Sequence, residues 1–386
     1  MRGARLAAVV LLLTLCACDR DAVRVDGQAV AAAVPRRAEA PGGPGLSRAG
    51  AAPASGRGLG SGKPITFAFG GDVNFEGTPR TLLTEDPAAL FAGVTDALQA
   101  DVTMVNLETA ITERGRAEPK EFNFRAPASA FAALRTAGVD VVTLANNHGL
   151  DFGQEGLLDT LDAADDLATG LPLIGAGHDT IEAYSAFRVT LRGQRISILG
   201  ASRVIDGDLI DGWTVTDDRP GIAVAEDPTR LLEAVRAERA HADTLVVYLH
   251  WGRERVNCPI DDQPEMADAL IAAGADVVVG SHAHVPLGGG LRNGAYVHYG
   301  LGNFLFGSAG GPSAESGVLR LTLTGRRVDA AEWVPVHLRA GVPETLTGSA
   351  AERAHAAWED LRPCAQLEPG TERTGAAGGA GEETDG

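Results

Sequence analysis

The residues best suited to chemistry in this sequence are two histidines on one short loop, Gly280-Ser281-His282-Ala283-His284. They follow three consecutive valines, a β-branched run that predicts a buried strand ending at the glycine. In an extended backbone, residues two apart project to the same side, so His282 and His284 can converge on one centre. Neutral imidazole is a common ligand of transition metals. A single buried histidine is more often structural, so a metal site requires that other ligands reach this loop.

Further polar residues stand at the ends of other predicted strands, which is where open α/β sheets bind their ligands. The whole set is Asp72, Glu108, Asn147, His148, His250, His282 and His284. Carboxylate and amide oxygens mixed with imidazoles suit Mn, Fe, Zn or Co, and a set of this size can hold one or two divalent ions. Each residue could instead have a purely structural role: Asp72 could cap a helix, Asn147 could form a turn, and His250 could pack in the core. Because such readings would all have to hold at once, shared metal ligation is the better hypothesis.

The elements that must position these residues alternate between short apolar runs and helical patterns, and strands predominate in the last third. Helices are predicted over residues 87–98, 128–137, 155–167, 228–239 and 264–273. Two apolar runs, 187–191 and 196–199, predict a β-hairpin. This order predicts an α/β layered domain with a mixed sheet or two stacked sheets. The remaining histidines lack a comparable context and are expected to be structural or on the surface; they are His178, His241, His298, His337 and His355.

Composition limits the kind of partner. The chain has 386 residues, is 45% hydrophobic and carries a net charge of −18, which opposes binding of the folded part to nucleic acid or to an anionic membrane surface. Residues 64–345 are the predicted folded domain. Residues 19–63 predict a flexible tether, and residues 346–386 predict a C-terminal extension whose tail, from Gln366 onward, is disordered.

The first 18 residues predict an export signal. Arg2 and Arg5 precede an apolar stretch that is too short to span a bilayer. The sequence Leu15-Cys16-Ala17-Cys18 resembles the lipobox of bacterial lipoproteins, which implies acylation of Cys18 and a membrane anchor in the cell envelope. The alternative is an ordinary cleaved signal peptide. Outside the cytoplasm the two remaining cysteines, Cys258 and Cys364, can form a disulfide if they lie close enough.

Six ordered segments resemble the motifs of the CapA family, the poly-γ-glutamate capsule biosynthesis proteins, and the resemblance covers about residues 65–336. That family is similar in fold to the calcineurin-like metallophosphoesterases, so the resemblance implies an α/β/β/α sandwich of two mixed sheets flanked by helices. The segments are Phe69-Gly70-Gly71-Asp72, Val105-Asn106-Leu107-Glu108, Asn146-Asn147-His148-Gly149-Leu150-Asp151-Phe152-Gly153, His250-Trp251-Gly252, Gly280-Ser281-His282-Ala283-His284 and Tyr299-Gly300-Leu301-Gly302-Asn303-Phe304.

The resemblance also implies roles. His148 would be the acid beside the metals, with Asp151 orienting it. Asn106 and Asn303 would contact the substrate, or Asn303 would hold its loop. One departure from the phosphoesterase pattern is Asn74, which stands where that superfamily has histidine and so weakens one of two metal sites; another is a glutamate in the second motif where the superfamily has aspartate. The implied metal ligands are Asp72, Glu108, Asn147, His250, His282 and His284.

The implied function is metal-dependent hydrolysis, in which a water activated by the ions attacks a phosphoester or, by the same chemistry, a γ-glutamyl amide. His148 would donate a proton to the leaving oxygen. Because family members act in making or exporting an anionic capsule polymer, the alternative is a non-catalytic accessory protein that binds the polymer or a membrane synthase. A glutamate polymer would be repelled by the acidic surface, which favours a confined metal cleft.

Overall fold

The computed structural model describes residues 58–370, so Cys18, the predicted export signal and most of the predicted tether lie outside the described residues. In chain order the strands are β1 (Ile65–Val73), β2 (Val102–Leu107), β3 (Ala110–Ile111), β4 (Arg125–Ala126), β5 (Val141–Thr143), β6 (Leu173–Ile174), β7 (Ala176–Gly177), β8 (Phe187–Leu191), β9 (Gln194–Ser202), β10 (Gly221–Ile222), β11 (Thr244–His250), β12 (Val277–Ser281), β13 (Gly289–Arg292), β14 (Ala295–His298), β15 (Asn303–Leu305), β16 (Glu315–Thr324), β17 (Arg327–Arg339) and β18 (Val342–Thr345). The helices are α1 (Thr78–Glu85), α2 (Thr95–Leu98), α3 (Ser129–Thr136), α4 (Gly153–Ala164), α5 (Thr180–Ala183), α6 (Ile210–Trp213), α7 (Thr229–Glu238), α8 (Asp262–Ala273), α9 (Gly348–Glu359) and α10 (Arg362–Ala365).

The strands form two large sheets and two small two-stranded pairs. The first large sheet has the order β18-β17-β16-β1-β2-β5-β6, with β15 paired to the end of β1, and the second has the order β13-β14-β12-β11-β9-β8. In the first sheet β1, β2, β5 and β6 are parallel, and in the second β9, β11, β12 and β14 are parallel. The outer strands β16, β17, β18, β8 and β13 pair antiparallel. Both sheets are therefore mixed, as predicted.

The apolar cores show how the layers stack. Phe67 on β1 and Tyr248 on β11 belong to one core between the two sheets. The next residue along β1, Ala68, belongs to the core that the first sheet shares with α1 to α4. The residue before Tyr248, Val247, belongs to the core that the second sheet shares with α7 and α8. This alternation is the two-residue period of strands buried on both faces, and it confirms the predicted α/β/β/α sandwich.

The helix predicted over residues 87–98 is wrong in detail, because the chain forms two 3-10 turns, Pro87–Leu90 and Ala92–Val94, before the short α2. The chain bends at Phe91, which has φ −125°. Gly93 packs so closely on β18 that a Cβ there would lie 2.7 Å from the carbonyl oxygen of Pro343. Tertiary contact with β18 therefore overrides the helical pattern.

The ends of the described chain are more ordered than predicted. Glu368 and Leu291 exchange two backbone hydrogen bonds of 2.9 and 2.7 Å, so the chain pairs with the edge strand β13 at Glu368, and only the part of the predicted tail after residue 370 lies outside the described residues. At the other end the side chain of Gln194 donates to the carbonyls of Leu59 and Lys63. Within residues 58–370, no helix is both long and apolar enough to cross a bilayer.

Candidate metal centre

The predicted ligand residues lie together at the carboxyl-terminal edge of the parallel strands. Asp72 is near the end of β1, and the next strand, β2, leads directly into Glu108, whose N–H donates to Val73 at 2.8 Å. In the second sheet His250 ends β11 opposite Ser281 at the end of β12. Because parallel strands of one sheet end on the same side, residues far apart in the chain converge there.

The centre of the cluster is a set of short polar contacts between Asp72, His250 and His282. The Oδ1 atom of Asp72 lies 3.9 Å from Nδ1 of His250, and Nε2 of His250 lies 3.1 Å from Nδ1 of His282. The backbone N–H of His282 donates to Oδ2 of Asp72 at 3.1 Å. Asp72 and His250 are fully buried and His282 is 5% exposed. These three predicted ligands are therefore within reach of a shared cation.

The two histidines after β12 converge for a different reason from the predicted one. Neither has an extended backbone: φ is 95° at His282 and 57° at His284, in the region that non-glycine residues rarely adopt. Their ring centroids are 5.9 Å apart. Nδ1 of His284 donates to Oδ1 of Asn303 at 2.8 Å and lies 3.5 Å from Oδ2 of Asp72, while its Nε2 lies 3.8 Å from Oε1 of Glu108. The prediction of an extended loop is thus wrong, because the chain reverses directly beyond Ser281.

Glu108 is the clearest sign of a cation. Its side chain is fully buried, and neither carboxylate oxygen has a hydrogen-bond partner within residues 58–370. A buried carboxylate without partners is costly, and Asp72 adds a second negative charge nearby. The ligand atoms of Asp72, Glu108 and His250 all lie within 4.8 Å of one another. A divalent cation among them would compensate both carboxylates, so the residues fit the metal that the sequence predicts.

His148 lies beside this centre and is held by a carboxylate. Its Nδ1 is 2.6 Å from Oδ2 of Asp151, and its Nε2 is 3.7 Å from Oε1 of Glu108. Its ring stacks on Phe124 with a centroid separation of 4.2 Å. Lys120 was not singled out from the sequence; its ammonium group pairs with Asp151 at 2.9 Å and also donates to the backbone carbonyl that precedes His148. This arrangement fixes the tautomer and the orientation of His148.

The three predicted amide residues occupy different places. Asn147 presents Oδ1 to Nε2 of His250 at 2.8 Å, which puts it among the ligands. Asn106 is fully buried, and its amide N–H group donates to Asp72 at 2.8 Å while its oxygen accepts from Asn146 at 2.9 Å. The prediction that Asn106 contacts substrate therefore does not fit, because both ends of the amide are used in holding the centre. Asn303 holds His284 and lines the adjacent cavity.

That cavity, of about 220 Å³, opens next to the centre and offers room for a substrate. His148, His284 and Asn303 form its inner side, and Phe122, which is 59% exposed, stands at its mouth. The same cavity is lined by Glu254 and Arg255 on the loop that follows β11. This loop is tied to the C-terminal segment, because Cys258 forms a disulfide with Cys364, 106 positions further along the chain.

Burial and mutual charge set the protonation of the cluster. Burial, reinforced by the charge of His284, lowers the pKa of His282 to about 3, and burial with the charge of His282 lowers the pKa of His250 well below its usual range. Burial also raises the pKa of Glu108 well above normal, and the charge of Asp72 adds to the rise. At neutral pH His250 and His282 are therefore uncharged and able to act as ligands.

The fold and the site together define a class: a two-sheet α/β sandwich with a carboxylate and imidazole cluster at the strand ends, of the kind that binds divalent metals. The chain belongs to the bacterial capsule synthesis protein PGA_cap family, whose model matches residues 66–308. This confirms the resemblance drawn from the six motifs.

Individual relatives agree with the family. The chain is 28% identical over 285 residues to the PGA biosynthesis protein CapA of Bacillus subtilis, covering 72% of this chain and 73% of that one. It is 32% identical over 230 residues to a probable polyglutamine synthesis accessory protein of Mycobacterium tuberculosis, covering 57% of this chain and 60% of that one. A solved structure assigned as a 5′-nucleotidase from Staphylococcus aureus, in complex with α-ketoglutarate, aligns with a TM-score of 0.44 and 14% identity over 77% of this chain and 58% of that one.

Proposed function

We propose that this protein is a metal-dependent hydrolase of capsule or poly-γ-glutamate biosynthesis, acting on a phosphoester or on a γ-glutamyl amide. The observation that carries the proposal is the buried carboxylate of Glu108, whose oxygens lack partners among the described residues beside a second carboxylate and three imidazoles. A structural cluster would pair these groups with one another or with basic side chains. Here the natural partner is a divalent cation.

The residues that would hold it are Asp72, Glu108 and His250 at the buried position, with Asn147, His282 and His284 around them. Mixed carboxylate, amide and imidazole donors suit Mn, Fe, Zn or Co. Such ions, when bound, supply Lewis acidity and a nucleophile at neutral pH. The side chains of this chain supply the rest.

His148 is the side chain placed to exchange a proton with the substrate. Asp151 holds its Nδ1, which leaves Nε2 on the side of the centre and the cavity. Lys120 in turn holds Asp151 and is itself tied to Asp206 at 2.9 Å. The cavity side chains Phe124 and Phe306 exclude water from one side of the site, while Asn303 keeps His284 in its orientation.

The test combines metal analysis with turnover. The protein, purified without chelators, should contain between one and two equivalents of a transition metal and should hydrolyse generic phosphoesters or γ-glutamyl amides with Mn²⁺ present. The His282→Ala variant should lose metal, and its activity should be lower by about 10³-fold or more, because the substitution removes a proposed metal ligand and not merely a residue that supports one. His241→Ala, on the exposed surface, is the matched control and should change neither. Thermal unfolding verifies that both variants are folded.

The outcomes separate two functions. Absence of bound metal in the unaltered protein, after incubation with Mn²⁺, Zn²⁺ and Fe²⁺, would overturn the proposal. Full metal occupancy without turnover of either substrate class would favour the second candidate, a non-catalytic accessory protein that binds anionic polymer or a membrane synthase. The name of the mycobacterial relative, an accessory protein, is what favours that candidate.

Export and a lipid anchor are part of the proposal. They are supported by the lipobox-like sequence at Cys18 and by the disulfide between Cys258 and Cys364, since disulfides persist mainly outside the reducing cytoplasm. Mass spectrometry of the mature protein from membranes should find diacylglycerol on Cys18. A mature chain that begins at another residue and lacks lipid would contradict the anchor.

A further inference from the structure

A second group of potential ligands lies next to the buried centre. The side chains of Glu254, His282 and His284 each offer an atom within 4.8 Å of the others. None of the three belongs to the group Asp72, Glu108 and His250, which meets the same limit. The two groups touch: Nδ1 of His282 is 3.1 Å from Nε2 of His250, and Nδ1 of His284 is 3.5 Å from Oδ2 of Asp72.

We infer that Glu254 is a ligand of a second divalent cation, which it holds together with His282 and His284 beside the cavity. The inference rests on the proposed metal-dependent function and adds a ligand that the motifs do not include. Two imidazoles and one carboxylate, with a position left open for water or substrate, form a donor set that is well suited to zinc and related ions.

Asn74 shows why such a ligand is needed. It stands at the position where the resemblance would place an imidazole, and its side-chain oxygen accepts from the N–H of Glu76 at 3.2 Å, within its own loop. The end of β1 and the loop after it therefore contribute Asp72 to the centre and no imidazole. A carboxylate from the loop after β11 restores the third donor for the second cation.

The fold holds Glu254 in place through backbone hydrogen bonds on both sides of it. The N–H of Trp251 donates to Ser281 at 3.1 Å, and the N–H of Arg255 donates to Ala283 at 2.8 Å. The loop that carries Glu254 is thus joined to the loop that carries the two histidines. Arg255 has φ 59°, so the chain turns sharply directly after the glutamate. The disulfide of Cys258 anchors the same loop three residues further on.

The simplest alternative is that Glu254 is an ordinary exposed charge, neutralised by the arginines on either side of it. The structure does not support that interpretation: in the part of the chain that it describes, Glu254 makes no ion pair within 4.0 Å with Arg253 or Arg255, and its charge acts on His284. Its carboxylate lies instead within ligand distance of the two imidazoles, and Glu254 lines the cavity together with His284. Without a cation, an exposed carboxylate would gain little from this position.

The two positions differ in burial, and this predicts different roles. Asp72, Glu108 and His250 are fully buried, so a cation there is enclosed by protein. Glu254 is exposed and His284 is only partly buried, so the second cation faces the cavity and the solvent. The outer cation should therefore exchange more readily and should be the one that contacts an anionic substrate group.

The experiment is Glu254→Gln in the full-length protein, with Mn²⁺ or Zn²⁺ as the titrant. Metal content by mass spectrometry and calorimetric titration should show two equivalents in the unaltered protein and one in the variant. The weaker site should lose affinity by about 100-fold or more, and the spin coupling between two Mn²⁺ ions should disappear from the electron paramagnetic resonance spectrum. Glu76→Gln is the matched control, because Glu76 lines the same cavity and belongs to neither group.

The failure of this inference can be told apart from the failure of the proposed function. If the unaltered protein binds no metal, the proposed function itself is wrong. If the unaltered protein binds two ions and Glu254→Gln still binds both with unchanged affinity, the function stands and Glu254 is not a ligand. Loss of both ions in the variant, at an unchanged melting temperature, would also overturn the assignment, because the buried group should keep its cation without Glu254.

Discussion

His282 directly follows β12, and His298 is the last residue of β14. The two strands are neighbours in the same sheet, yet the surroundings of the two histidines differ in kind. Burial lowers the pKa of each to about 3, for His298 by itself and for His282 with the added charge of His284. His298 packs in a cluster with Trp333 and Trp358, with centroid separations of 4.9 and 5.8 Å, and the two indoles also stack on each other at 5.3 Å. His282 is surrounded by two other imidazoles and two carboxylates.

The difference shows which property distinguishes a candidate functional site from a structural core. Burial and a shifted pKa are common to both histidines, so neither marks a function. His298 accepts one hydrogen bond from Trp358 at 3.2 Å and otherwise packs against rings, which makes it a structural residue, as the sequence predicted. The region around His282 contains a buried carboxyl group, Glu108, whose two oxygens have no hydrogen-bond partner in residues 58–370. A buried carboxyl group without hydrogen bonds is therefore the property to test.

The sharpest test of this comparison is Glu108→Gln. In metal-free protein the variant should be more stable than the parent by about 1–3 kcal/mol, because it replaces a buried carboxylate without partners by a neutral amide. That corresponds to roughly 2–4 °C in melting temperature per kcal/mol. With Mn²⁺ or Zn²⁺ added the order should reverse, since the variant loses a ligand. Differential scanning calorimetry with chelator and with metal measures both effects.

The matched control is Glu238→Gln. Glu238 is also buried, but Arg188 and Ser197 satisfy its oxygens at 2.6–2.7 Å. Its replacement should destabilise the metal-free protein and leave the stabilisation by metal unchanged. If Glu108→Gln instead behaved like this control, the region around His282 would be an ordinary polar core, and the contrast with the His298 region would vanish.

The positions of the main ligands could be predicted from the sequence because each directly follows an apolar strand. Parallel strands of one sheet end at one edge, which brings Asp72 close to Glu108 and His250 close to Ser281. The contact between Asp72 and His282, 210 residues apart, joins the two sheets and depends on how they stack. Periodicity alone cannot show the backbone of the loop beyond the strand. The reversal at His282 and His284 depends on their contacts with Asp72 and Asn303, which no local pattern reveals.

Lys120 and Glu254 could not be predicted, since both lie on irregular loops where a charged residue normally faces solvent. Lys120 is buried against Asp151 only because its loop folds over the segment after β5. The C-terminal helix α9 could not be predicted for a similar reason. Its one buried residue is Trp358, and a single buried position gives no hydrophobic periodicity that would indicate a helix. What decides these residues is tertiary packing between segments distant in the chain.

The last and smallest test concerns the structural side of the comparison. Burial keeps the pKa of His298 at about 3, whereas in the unfolded chain it is about 6.5, so below that value the unfolded state binds a proton that the folded state does not. The stability that the neutral ring contributes is therefore present above pH 6.5 and lost as the pH falls toward 3; at pH 5 the loss is about 2 kcal/mol. His298→Phe keeps a flat ring packed against Trp333 and Trp358 and cannot be protonated. Urea unfolding of the metal-free variant from pH 7 to 5 should therefore show a loss of stability smaller by that amount than the parent shows. Parallel stability curves for variant and parent would mean that His298 titrates normally and that water reaches its ring. The regions around His282 and His298 would then differ in burial as well as in their unsatisfied polar groups.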